Sequence, residues 1–346
     1  MNNFFKKKTK KFTRTYFIAD IAANHDGDIE RAKDLIFLSA EAGANAAKFQ
    51  HFNAKTIVSD YGFKNLSNLK SHQSKWDKSV FQVYEEASVN LEWTSILKDT
   101  CKKAEISFFS TPYSFYLIDH LDKYVPAYKI GSGDLTWIEF LTYLAKKNKP
   151  IFLATGASEI KEIDLAVNEI LRINQNLCLM QCNTNYTGDL ENFKYINLNV
   201  LKTFKEKYPS IILGLSDHTP GHATVLGSVA LGAKVIEKHF TDSNDRDGPD
   251  HLFSMNPKSW KDMVLRTREL EQALGDKVKK VEENEKETNV LQRRSLRSIR
   301  NIMKGSRINK NDFIPLRPCP VDSLCISNHS KLDGLAVLRD IPKGDY

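Results

Sequence analysis

Eight short, β-prone apolar runs recur along the first three quarters of the chain, and this rhythm restricts the fold more than any other feature. The runs are Phe17–Ala22, Ala46–His51, Ser107–Thr111, Ala127–Ser132, Ile151–Thr155, Leu177–Cys182, Ile211–Ser216 and Lys234–Phe240. Between them Ile29–Ala42, Leu91–Ala104, Ile160–Ile173, Val200–Lys207 and Ala223–Leu231 carry apolar residues at helical spacing. Gly43 and Gly232 close two of these patterns, as a left-handed residue closes a helix. Eight βα units predict an α/β fold, a closed (β/α)₈ or TIM barrel over residues 16–274. The longest connection, Phe52 to Val80, is rich in Ser, Lys, Asn and Gln; a loop of that length in a compact domain is expected to be functional or mobile.

After Leu274 the pattern breaks. Residues 275–289 are charged and nearly devoid of large apolar side chains, which predicts a linker. Residues 290–346 hold short strand-like pieces interrupted by Gly305, Pro315, Pro318, Pro320, Gly334 and Pro342, a small domain that is marginal alone. Residues 1–15 form a basic extension carrying Lys6, Lys7, Lys8, Lys10 and Lys11. That extension and Arg293, Arg294, Arg297 and Arg300 hold much of the net charge of +7, yet no zinc-finger, leucine-zipper or aromatic RNA-binding pattern accompanies them. No nucleic acid partner is expected, and attraction of a small anion is the better use of the charge. The chain has no long apolar run and no leader-type start, so neither a membrane nor secretion is expected. Five irregularly spaced cysteines suit reduced thiols in a cytoplasmic protein.

In such a barrel the chemistry gathers where strands end at the C-terminal face. All eight ends are polar here: Asp20, Asn24 and His25 after the first; Lys48 and Gln50; Ser110-Thr111; Lys129 through Asp134; Thr155-Gly156; Gln181 through Tyr186; Ser216-Asp217-His218; Glu237-Lys238-His239. A strand lysine at a barrel mouth either snorkels to water or meets an anion, so Lys48 and Lys129 point to phosphate or carboxylate unless they merely flank their strands. His218 and His239 end consecutive strands, about 4.8 Å apart in backbone, and either share one divalent ion or are structural. Two nitrogens with water and substrate oxygens would suit Mn²⁺, Co²⁺, Fe²⁺ or Zn²⁺. The loop Asp245–His251 is charged enough to hold a polyhydroxylated substrate or to be an exposed turn.

Several stretches resemble the sialic acid synthase family, which makes N-acetylneuraminate, legionaminate or pseudaminate. They are Ile21–Gly27, Lys48-Phe49-Gln50, Tyr128–Gly133, Gly214–Thr219, Ile236–Thr241 and Gly248-Pro249-Asp250. Arg294-Ser295-Leu296, Lys304-Gly305 and Leu316-Arg317-Pro318 resemble the antifreeze-protein-like (SAF, β-clip) domain that ends these enzymes. The resemblance implies a metal-dependent transferase that condenses phosphoenolpyruvate with an N-acylated amino-hexose, either N-acetylmannosamine or a 2,4-diacetamido-2,4,6-trideoxyhexose. By position, Lys48, Thr111, Lys129, Ser132, Thr184 and Ser216 would bind phosphoenolpyruvate. Gln50, Asp134, Tyr186 and Asp250 would contact the sugar, and Arg317 would recognise its N-acyl group across a domain-swapped homodimer. His218 and His239 would hold the ion, Mn²⁺ first, with Mg²⁺, Co²⁺ or Fe²⁺ also fitting, and would be catalytic together with Asp20.

Three positions depart from the family pattern. Asp20 replaces the usual catalytic Glu, shorter by one C–C bond of about 1.5 Å, so it is read as base, substrate ligand or neither. The sixth strand runs into Asn183-Thr184-Asn185-Tyr186-Thr187 rather than the usual Tyr-Pro ending, and Ala154 stands where Ser is frequent. Two other readings follow from the same residues: a synthase of 3-deoxy-octulosonate or 3-deoxy-heptulosonate phosphates, or a carbohydrate-binding protein without catalysis.

Overall fold

The computed structural model describes residues 14–66, 73 and 76–346, so the lysines of the basic extension lie outside the described residues. Eight parallel strands close in chain order: β1 (Tyr16–Asp20), β2 (Ala46–His51), β3 (Ser107–Pro112), β4 (Tyr128–Ile130), β5 (Ile151–Ala154), β6 (Leu177–Cys182), β7 (Ile212–Asp217) and β8 (Val235–His239). This is the (β/α)₈ barrel. β8 pairs back onto β1, with Asp20 opposite His239, while Asp20 also lies opposite Lys48 on β2.

The side-chain period of two sorts each strand into an inner and an outer face. Tyr16, Ile18, Ala46, Phe109, Phe152, Cys178, Met180 and Val235 fill the barrel interior. Phe17, Phe49, Ile130, Leu153, Leu179, Leu215 and Ile236 pack outward against the helices. The helix Ile29–Glu41 shows why the connections form: Asp28 caps it, and Ala32, Leu35, Ile36 and Ser39 bury one face.

Four strands, β1, β4, β5 and β8, are shorter than the sequence suggests, and for two of them the cause is visible. β1 stops at Asp20 because Ala22 takes a left-handed φ of 46°, which turns the chain across the mouth. β4 stops at Ile130 because Ser132–Asp134 wind into a single 3₁₀ turn. The long connection is no structureless loop: Ala54–Ile57, Asp60–Asn65 and Val80–Glu86 are short helices. The side chains of Asn53, Ser59 and Ser79 cap them, and one or two turns are too few for a periodic signal.

The chain divides into two compact units, residues 1–275 and 276–346. In the second, Lys286–Gln292 is helical, so the stretch read as a linker ends in structure. There β9 (Ser295–Ser298) pairs antiparallel with β10 (Phe313–Leu316) over a small core of Leu296, Ile302, Ile308, Phe313, Leu332, Val337 and Ile341. Two of its arginines are tied up internally: Arg297 donates to the Pro318 carbonyl at 2.6 Å and Arg300 pairs with Asp312 at 2.7 Å. All five cysteines are free thiols. Among the described residues no helix is long and apolar enough to cross a membrane.

Candidate active site

The barrel mouth gathers the inward residues at the strand ends. Asp20, Lys48, Thr111, Lys129, Ser216 and His239 are all buried there. Asp20 is held on every side: its Oδ1 accepts from the Ala22 amide at 3.1 Å, and its Oδ2 meets Lys48 Nζ at 2.6 Å and Gln50 Nε2 at 3.0 Å. His239 Nε2 lies 3.6 Å from the same oxygen. Lys48 also reaches Thr111 Oγ1 at 3.4 Å.

Glu237, one period below His239 on β8, was not among the expected site residues. Its Oε1 lies 3.1 Å from Lys129 Nζ and 3.9 Å from Lys48 Nζ, and it accepts from Ser216 Oγ at 3.2 Å. Alternation was the available signal, since residues 237 and 239 must share a face if either does. The same rule removes Asp217 and Lys238, which point outward and pair at 2.5 Å beside Thr219 and Thr224.

The ends of β4, β5 and β6 form a tight second wall. The Gly156 amide donates to Ser132 Oγ at 2.9 Å. A Cβ at Gly156 would stand 2.6 Å from Thr184 Cγ2, 2.9 Å from Ser132 Oγ and 3.2 Å from Cys182 Sγ. Here the backbone and three small polar side chains converge, the kind of concavity that admits an anion.

His218 and His239 have ring centroids 5.4 Å apart, with Tyr186 4.2 Å from His218 and Phe253 4.9 Å from His239. His218 Nδ1 donates to the Asn183 carbonyl at 2.9 Å, which leaves its Nε2 with the lone pair. His239 Nδ1 is buried with no hydrogen-bond partner among the described residues and lies 3.8 Å from Asp250 Oδ2. Burial lowers the pKa of both, that of His239 well below the usual value, with His218 and Lys48 adding to the effect. Neutral imidazoles with open nitrogens are the form that ligates metal, so these two fit a divalent ion. Among the described residues no cluster of three or more His, Cys, Asp or Glu is placed to hold one.

Beside the histidines opens a cleft of about 160 Å³. Gln50, Gln73, Tyr84, Tyr113, Tyr186, His239 and Asp250 line it with polar groups, and Phe52, Val83 and Ala87 add apolar surface. Burial pushes the carboxyl of Asp250 up to about 6, against the Ala23 amide that donates to it at 3.2 Å. Burial likewise takes Asp134 up to about 6, with Lys129 opposing.

The remaining candidates go elsewhere. His25 is fully buried, its Nδ1 accepting from the Gly27 amide at 3.0 Å and its edge against Trp93, and burial lowers its pKa to about 4. His51 points outward to Ser110 and Thr94. His251 bridges Thr241 Oγ1 at 2.7 Å and Asp26 Oδ1 at 3.0 Å, which knits the loop after β8 to the loop after β1. Arg317 is exposed in the second unit.

A (β/α)₈ barrel whose mouth holds two buried ammonium groups, two neutral imidazoles and a fringe of carboxylates is the architecture of an enzyme acting on an anionic substrate. The chain belongs to the NeuB family, which it matches over residues 35–279, and thus to the phosphoenolpyruvate-dependent synthases that form C–C bonds. It is 35% identical to the N,N'-diacetyllegionaminic acid synthase of Campylobacter jejuni over 309 residues, 88% of this chain and 91% of the relative. It is 30% identical to the pseudaminic acid synthase of the same species over 96% of this chain and 95% of the relative. The crystal structure of the N-acetylneuraminic acid synthetase of Leptospira borgpetersenii superposes with a TM-score of 0.68 at 28% identity, covering 79% of this chain and 90% of that one.

Proposed function

We propose that the protein condenses phosphoenolpyruvate with an open-chain N-acylated amino-hexose to give a nine-carbon nonulosonate and phosphate. The observation that carries this reading is the pairing of Lys48 and Lys129 in one buried mouth with His239 and Asp20 in register beside them. Lys48, Lys129, Thr111 and Ser216 bind phosphoenolpyruvate, and Ser132, Thr184 and the Gly156 turn receive its phosphate. These donors offset charge that is present throughout and grows on the leaving oxygen. A divalent ion on His218 and His239, Mn²⁺ foremost, would polarise the sugar's aldehyde oxygen.

In the reaction, C3 of phosphoenolpyruvate bonds to the aldehyde carbon, whose oxygen takes up a proton. Water adds to C2 and loses a proton, and phosphate departs with the electrons of the C2–O bond. Asp20, fixed by Lys48 and Gln50, acts in this reading as an anchor that aims both at the substrates, whatever further part it takes in proton transfer.

The sugar lies in the cleft with its reacting end at His239, Asp250, Gln50 and Tyr186, and Asp134 near Lys129. The cleft carries apolar surface from Phe52, Val83 and Ala87 and polar groups from Gln73, Tyr84 and Tyr113, so it suits a sugar that bears both acyl methyl groups and polar substituents. A 2,4-diacetamido-2,4,6-trideoxyhexose is favoured over N-acetylmannosamine by the name of the Campylobacter relative, an N,N'-diacetyllegionaminic acid synthase. The second unit is proposed to be the antifreeze-protein-like domain of a domain-swapped homodimer, with Arg317 contacting the N-acyl group.

Phosphate release measured with both acylamino sugars and with phosphorylated aldoses, with Mn²⁺ and after chelation, tests the reading. Metal-dependent release with an acylamino sugar is expected. Release with phosphorylated aldoses alone would assign the heptulosonate or octulosonate chemistry instead.

A further inference from the structure

Among the described residues Glu237 is the one carboxylate within 4 Å of both Lys48 and Lys129. A single oxygen, Oε1, stands 3.1 Å from Lys129 Nζ, 3.9 Å from Lys48 Nζ and 3.2 Å from Ser216 Oγ. The side chain is only 5% exposed, and Oε2 has no hydrogen-bond partner among the described residues. Lys48 has a second carboxylate in Asp20 at 2.6 Å, whereas Lys129 pairs with Glu237 alone among the described residues.

Two ammonium groups brought into one buried mouth repel each other. A shared carboxylate between them offsets that repulsion and fixes where the two charges stand. Ser216 adds direction, because its hydroxyl proton is committed to Oε1 and its lone pairs are turned elsewhere.

We infer that Glu237 is a positioning residue that sets the anion cradle, holding Lys129, Lys48 and Ser216 in the arrangement that receives phosphoenolpyruvate. The inference rests on the proposed phosphoenolpyruvate site and adds a residue whose carboxylate works through the lysines. Its sign is counter-intuitive: a negative charge in the pocket raises affinity for an anion, because without it the two cations move apart.

The test is Glu237→Gln in the full-length protein, which keeps volume and shape and removes the charge. Phosphoenolpyruvate binding is measured by calorimetry, and KM is measured for each substrate. At least a tenfold weaker Kd and higher KM for phosphoenolpyruvate are expected, with the sugar KM changed less than about twofold. A general loss of structure would move both constants together. Unchanged or tighter phosphoenolpyruvate binding in E237Q overturns the inference. No binding of phosphoenolpyruvate by the wild type overturns the underlying site assignment instead. If E237Q does not fold, Glu237→Asp decides: its shorter reach must still weaken phosphoenolpyruvate selectively, and an aspartate variant equal to the wild type refutes positioning.

Discussion

Asp134 and His218 owe their properties to burial at the barrel mouth. The carboxyl of Asp134 titrates near 6 because burial opposes its ionisation, against an ordinary value of 3.8. Below 3.8 both folded and unfolded states are protonated, and the contribution to stability is fully present. As pH rises through 6 that contribution is lost, since the folded state must ionise a buried group. Asp134→Asn should therefore stabilise the protein relative to wild type at pH 8, with the gain shrinking as pH falls toward 4. Urea unfolding at several pH values reads this, and a gain independent of pH would contradict it. His218→Ala should lower metal-dependent turnover by about 100-fold or more while costing only about 1 kcal/mol for the lost bond to Asn183. Loss of soluble protein would instead assign His218 to the core. The sequence exposed both residues as polar strand ends. It exposed Glu237 in the same way but gave it no role, because its neighbours Lys238 and His239 are equally polar and only the inward and outward faces of β8 tell them apart.

At the scale of elements, the barrel was legible because each strand and helix carries its own pattern over several residues. The short helices after β2 were not, since three capped turns carry no period, and they supply Val83 and Tyr84 to the lining of the cleft. Strand ends were misplaced wherever a local conformation intervenes, as with the left-handed Ala22 and the turn at Ser132–Asp134. The wall from β4 to β6 makes a further prediction. Gly156→Ala places a methyl within 2.6 Å of Thr184 and 2.9 Å of Ser132. Overpacking of this kind costs about 1–3 kcal/mol, and phosphoenolpyruvate affinity should fall with it because both neighbours belong to the proposed phosphate cradle. An alanine variant with wild-type stability and KM would show that the wall can yield.

For the whole molecule, buried histidines govern the response to acid. His25 and His51 stay neutral in the folded state, burial lowering them to about 4 and about 3 from 6.5. Their contribution is intact above 6.5 and is lost as pH falls toward those values, because only the unfolded chain takes up the protons. Asp134 and Asp250 act in the opposite sense below 6, so the loss is partly offset there. Replacing His51 with Gln should narrow its stability gap to wild type as the medium is acidified from pH 7.5 to 5.5, by up to about 1.4 kcal/mol per unit. A constant gap would show that His51 is not held neutral.

On the proposed function, the mouth joins phosphoenolpyruvate to an acylamino sugar and phosphate leaves by breakage of the C–O bond. Phosphoenolpyruvate labelled with oxygen-18 at the bridging oxygen, turned over with 2,4-diacetamido-2,4,6-trideoxyhexose and Mn²⁺ and analysed by mass spectrometry, tests it most directly. Label is expected in the phosphate, with an unlabelled nonulosonate and no release without the sugar. Label retained in the keto acid, or release that does not need the sugar, would contradict it.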